Sequence, residues 1–171
     1  RPILPSEMTR LVFVVGGSAY DYPSYFTEDA RAATGSGGSY LYTFQTAIPE
    51  NAIGTYAIGI EGYRNVKLLE GTRKEITVRD AGINKVFYFA VTDATAAPRR
   101  AVVSQQKCDS CHAFLELHGS NRNQAEHCLI CHNANQTDAA QRPAAQAPPE
   151  SIHMKTMIHK IHTGVGLTSD F

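Results

Sequence analysis

One five-residue pattern occurs twice in this chain, as Cys108-Asp-Ser-Cys111-His112 and Cys128-Leu-Ile-Cys131-His132, and it limits what the second half can fold around. Two thiols three positions apart can reach the two vinyl-derived carbons along one porphyrin edge. The adjacent histidine is then held over the ring face, with its imidazole toward the iron. Each motif thus supplies a covalent anchor and a proximal ligand together.

The same four cysteines also satisfy a two-knuckle zinc spacing, with sixteen residues between the pairs. The histidine after each pair separates the readings. With 7 His in 171 residues, chance would put one at both positions in roughly one sequence in six hundred, and a four-thiolate zinc site needs neither. A zinc ribbon ranks second and a pair of structural disulfides third. The expectation is therefore two covalent haem c groups, one on Cys108, Cys111 and His112 and the other on Cys128, Cys131 and His132.

All seven histidines lie between His112 and His162, so histidine tracks the motifs. Two irons with two axial nitrogens each need four imidazoles. His112 and His132 are two of them, leaving His118, His127, His153, His159 and His162 as candidates for the rest. Opposite faces of one porphyrin cannot be served by neighbours on one helix. His159 and His162 would project about 60° apart and roughly 4.5 Å along a helix, so as ligands they must reach different irons. His118, on a short tether from His112, more naturally crosses to another iron. His127, pressed against Cys128, reads as a solvated histidine and His153 as a surface residue at a helix start; His118, His159 and His162 rank above both. Met154, Met157, Ile158 and Ile161 form an apolar stripe suited to a haem plane or to an ordinary core, and the methionines are the rival axial ligands.

Composition divides the chain near residue 100. The first hundred residues hold all eight Tyr and 33 of the Val, Ile, Leu, Met, Phe and Tyr residues, enough for a conventional core; the remaining 71 hold only 15. A segment so poor in large apolar groups needs another source of apolar surface, which two porphyrins would supply. The expected organisation is an all-β domain over residues 1–98, an antiparallel sandwich or split barrel, followed by a small, mostly irregular and helical multihaem cytochrome c domain over 99–171. Formal charge is +1 for the first hundred residues (11 − 10) and −1 for the rest (5 − 6), so no basic face for nucleic acid is visible. The longest apolar run, Leu11 to Val15, is too short for a signal peptide or membrane span. Covalent haem attachment takes place beyond the cytoplasmic membrane, so an export signal that is removed or lies outside this sequence is expected.

Along the chain, strands are expected at 10–16, 40–46, 55–62, 73–79 and 84–92, with residues 18–39 as a surface excursion carrying one helical turn near 27–33. In Thr55 to Gly62 the residues Tyr56, Ile58 and Ile60 share one face, and Ala57, Gly59 and Glu61 the other. Residues 93–100 read as a linker, 111–118 and 151–162 as helical pieces, and 136–149 as an irregular wrap.

These residues carry a family resemblance. Cys108-Asp-Ser-Cys-His-Ala-Phe-Leu-Glu-Leu-His118, then Glu126-His-Cys-Leu-Ile-Cys-His-Asn133, then Ser151-Ile-His-Met-Lys-Thr-Met-Ile-His-Lys-Ile-His-Thr-Gly164 resemble the opening of a haem domain in the OmcA/MtrC family of outer-membrane multihaem cytochromes. Val15-Gly-Gly17 and Gly54-Thr-Tyr-Ala-Ile-Gly-Ile-Glu-Gly-Tyr-Arg64 resemble the β-domain that precedes it. The resemblance implies His118, His159 and His162 as distal ligands. It also implies an electron carrier rather than an enzyme, located at the extracellular face of the outer membrane, secreted, or otherwise periplasmic. Its partners would be other redox proteins or cytochromes and a porin-type outer-membrane complex, and its acceptors extracellular metal oxides, metal chelates or flavins. Family members carry about ten haems where this sequence has two motifs, so a fragment or a reduced relative is expected. The alternatives are a haem enzyme, such as a peroxidase or small reductase with an open iron site, and a binding module organised by a zinc ribbon.

Overall fold

The computed structural model of the protein describes residues 2–164; Arg1 and the end of the expected haem domain, 165–171, lie outside the described residues. Seven strands come first: β1 (Arg10–Gly17), β2 (Ser24–Asp29), β3 (Thr34–Ser36), β4 (Ser39–Leu41), β5 (Thr55–Leu68), β6 (Ile76–Ala81) and β7 (Lys85–Ala90). Three short helices follow: α1 (Gln105–His112), α2 (Ala125–Cys131) and α3 (Met154–Thr163). The class is the one expected, an antiparallel β part followed by a small helical part. No helix among the described residues is long and apolar enough to cross a membrane.

The organising strand is β5. One of its edges pairs with β1 from Ala57 to Tyr63, and β1 in turn pairs with β2. Its other edge is shared, with β7 against Thr55–Ile60 and β6 against Tyr63–Leu68. The strand therefore runs through Asn65, which pairs with Arg79, where the sequence suggested a break. Strand β2 lies inside the stretch expected to be a loop. Its Ser-Tyr-Phe-Thr-Glu-Asp sequence hid it, because an edge strand tolerates the charges that keep an interior strand from forming. Conversely, of the expected 40–46 strand only Tyr40 and Leu41 pair, within β4 in a small hairpin with β3. Tyr42 and Phe44 instead lay their rings against Phe13, with centroids 5.3 and 5.2 Å away, and cover one face of the sheet.

Of the two faces of β5, the one carrying Ala57, Gly59 and Glu61 is buried. Register places it beside Val12, Val14 and Gly16 of β1 and beside Val86 and Tyr88 of β7. Helix α2 lies on this face, and its fully buried Ile130 joins Val12, Val14, Tyr22 and Ala57 in one core. Small residues make the close approach possible. A Cβ at Gly59 would fall 2.3 Å from the His127 ring, and one at Gly16 would fall 2.8 Å from Ile130. Helix α2 had no expected counterpart, while α1 begins and ends earlier than the expected 111–118 piece because Ala113, at φ 56°, stops it after His112. Helix α3 falls where one was expected.

Candidate haem sites

In α1, Cys108 and Cys111 stand three residues apart, so both thiols rise from one side of the helix, and His112 is its last residue. The helix is anchored by Gln105, which donates to the Asn123 carbonyl (3.1 Å) and accepts from the Ala125 N–H (2.7 Å), tying the first motif to the start of α2. None of its residues is buried.

The second motif repeats the geometry on α2, with Cys128 buried and Cys131 half-buried. Burial pushes the Cys128 thiol up to about 11 and raises Cys131 as well. His132 follows at the helix end. Its Nδ1 lies 2.9 Å from the Ile152 carbonyl, which can only accept, so Nδ1 carries the proton and Nε2 keeps a free lone pair. Burial also lowers the affinity of this imidazole for a second proton, which favours the neutral, ligating form. His162 is fixed likewise, through Nδ1 and the Ile158 carbonyl at 2.8 Å.

The histidines meet in pairs. The rings of His112 and His162 have centroids 6.0 Å apart at an interplanar angle of 89°, and those of His118 and His132 are 5.9 Å apart at 32°. With metal–imidazole bonds of about 2 Å and a ring centre roughly 1 Å behind its nitrogen, two axial rings across one iron stand about 6 Å apart. Each pair holds one motif histidine and one distant in sequence, so the residues fit a haem iron at each motif. The ring of His118 lies beside that of His132, the histidine of the other motif.

His159 is exposed on α3 and belongs to neither pair. His153 caps the start of α3, as expected. His127 is the correction: it is 3 % exposed rather than solvated, and its Nε2 lies 3.0 Å from Glu61 Oε2. Met154 packs in a core cluster with Cys128 and Leu129, so its thioether is spent on packing. Among the described residues no group of three or more His, Cys, Asp or Glu could hold a metal ion.

A second charged assembly escaped the sequence reading. The Glu61 side chain is wholly buried under α2 and accepts from Arg10 (2.7 and 3.2 Å), Arg122 (2.6 and 3.1 Å) and His127. Burial alone would raise its carboxyl, but the bonds from His127, Arg122 and Arg10 outweigh this and hold it well below the usual carboxylate range. The signal available was a lone acid on the small-residue face of a strand.

Two thiol pairs on short helices and two imidazole couples, in a chain whose other part is an antiparallel sheet, are the pattern of a multihaem c-type cytochrome. Residues 100–170 match the family model of outer membrane cytochromes, MtrC/MtrF-like, domains II/IV. That stretch contains both motifs and all seven histidines, and over it the chain is similar to this family of outer-membrane cytochromes. No curated protein matches the chain.

Proposed function

We propose that this chain is an electron carrier with two covalent haem c groups, anchored at Cys108/Cys111 and Cys128/Cys131 and ligated by His112 with His162 and by His132 with His118. The observation that carries the reading is the pair of imidazole couples at 6.0 and 5.9 Å, since two imidazoles across each iron leave no coordination position for a substrate. When bound, haem supplies reversible one-electron exchange at iron. The chain's own part is to hold the ligands. The Nδ1–H bonds of His132 and His162 fix tautomer and ring orientation, and the packing of α2 on the sheet keeps water from one side of the second motif. Residues 1–98 act as the β-domain and residues 99–171 as the haem domain.

The match of residues 100–170 to outer membrane cytochromes supports a place at the outer membrane, on its extracellular face or released from it, with a porin-type complex or other cytochromes as donors. Metal oxides, metal chelates and flavins are the acceptors proposed. The experiment is stopped-flow oxidation of the reduced, haem-loaded protein by ferric chelates and by oxidised flavin, beside a peroxidase assay and the intact mass. Rapid oxidation, a mass increased by two haems and no peroxide turnover are expected. Turnover of peroxide with slow oxidation by every external acceptor would make the protein an enzyme instead.

A further inference from the structure

The loop that carries His118 is held from outside. Leu117 and Arg122 close its base with two backbone bonds, at 3.0 and 3.2 Å. Between them His118, Gly119 and Ser120 take φ values of 52°, 75° and 74°, three successive left-handed residues of which only one is glycine. Such a run is costly for His118 and Ser120 and persists only where the surroundings impose it. The imidazole of His118 makes no hydrogen bond among the described residues, so the backbone that carries it, rather than a side-chain bond, holds it 5.9 Å from His132.

The restraints come from the sheet. Arg79 of β6 donates from Nη1 to the Gly119 carbonyl (2.6 Å), while Asn84, just before β7, donates from Nδ2 to the Asn121 carbonyl (2.9 Å). Asn84 and Asn123 each donate a backbone N–H to the other's side-chain oxygen, at 3.0 and 2.8 Å, and both are buried. The guanidinium of Arg122 is forked onto Glu61 of β5. An acid on β5, a cation on β6 and a buried amide just before β7 thus hold Gly119, Asn121, Arg122 and Asn123, and the side chain left over is an imidazole facing a second imidazole.

We propose that Glu61 of β5, Arg79 of β6 and Asn84 just before β7 form a clamp that positions His118 as the distal ligand of the iron held by His132, so that the β-domain controls axial ligation in the haem domain. These are positioning residues, since none touches the iron. The inference rests on the His118/His132 assignment proposed above. It gives the β-domain a task inside the molecule in addition to any docking outside it. A loosened clamp lets His118 leave the iron more often, and an external ligand can then compete.

The test is cyanide binding to the ferric, haem-loaded full chain, followed optically and by electron paramagnetic resonance, for Arg79→Ala, for Arg79→Ala combined with Asn84→Ala, and for His118→Ala. His118→Ala should turn one haem high-spin, and added imidazole should restore it; two unchanged low-spin haems would overturn the ligand assignment itself. Given that result, Arg79→Ala, at an exposed position, should keep the parent's melting temperature while one haem binds cyanide roughly tenfold faster, with a larger increase in the double variant. Conversion by His118→Ala beside parent-like cyanide rates in Arg79→Ala and in any folded double variant would overturn the clamp and leave the ligand assignment standing.

Discussion

The first motif sits on a helix with no buried residue, whereas the second sits on a helix whose Ala125, His127, Cys128, Leu129 and Ile130 are all buried. The chemistry spelled by the two five-residue patterns is the same; the two residues inside each pattern are not. Asp109 and Ser110 make α1 a solvated helix, while Leu129 and Ile130 make α2 a packing element. Ile130 enters the core of the β-sheet, so the second haem site and the β-domain share one interior. A motif that anchors a cofactor can therefore also join two parts of a chain, and the intervening x-x positions decide whether it does.

The largest expected effect tests that difference directly. Ile130→Ala removes a fully buried side chain from the shared core and should cost about 2–5 kcal/mol in chemical denaturation, lowering the transition of the sheet. Lys107→Ala on α1, outside any core, should change stability by no more than about 0.5 kcal/mol. Equal effects would mean that the motifs are energetically alike after all.

Next in size is the buried ion cluster. Glu61→Gln leaves Arg122 and His127 facing an uncharged amide beneath α2 and should cost about 3 kcal/mol at neutral pH. The sign with pH follows from the depressed carboxyl. Its ordinary value is 4.5 and its folded value lies lower, so the unfolded chain takes up the proton first as pH falls. The stabilisation is complete above pH 4.5 and disappears as pH drops through the folded value. Acid titration of the parent should show this limb, and the Gln variant should show a shallower one, carried by the other lowered carboxyls.

A smaller, purely spectroscopic difference concerns ligand planes. The rings of His112 and His162 are crossed at 89°, whereas those of His118 and His132 lie within 32° of parallel. Crossed planes leave the two iron orbitals that interact with the imidazoles nearly degenerate, and near-parallel planes split them. The ferric protein should accordingly give two low-spin resonances, one dominated by a single large g value and one rhombic. His162→Ala should remove the first and His118→Ala the second; a single type of signal from both sites would contradict the two geometries.

How much of this was readable beforehand differs between the same two regions. The two Cys-x-x-Cys-His motifs and the ranking of His118, His159 and His162 above His127 and His153 were read from the sequence; the structure sets His118 and His162 beside motif histidines and leaves His159 without a ring partner among the described histidines. The pairing did not, since His112 and His162 are fifty residues apart and only tertiary packing brings them within 6.0 Å. Helix α2 was missed because seven residues carry too little periodicity to register, and β2 because an edge strand need not alternate. Glu61 was legible only as an acid among Ala57, Gly59 and Gly62. Its burial depends on Arg122, sixty-one positions away.

The smallest expected effect is none, and it separates His159 from its neighbour three residues on. Both lie on α3, both are exposed, and a helix turns them about 60° apart. His162 donates from Nδ1 to the Ile158 carbonyl and aims its ring at His112; His159 has no ring partner among the described histidines. His159→Ala should therefore leave the optical and resonance spectra of both motif haems, and their midpoint potentials, as they are in the parent. His162→Ala should turn the first haem high-spin. The comparison is informative because helix propensity and exposure are matched, so a difference between the two variants reports ligation alone. If His159→Ala produced the high-spin haem and His162→Ala did not, α3 would be rotated by one ligand position against α1, and the first site would have to be rebuilt around that register.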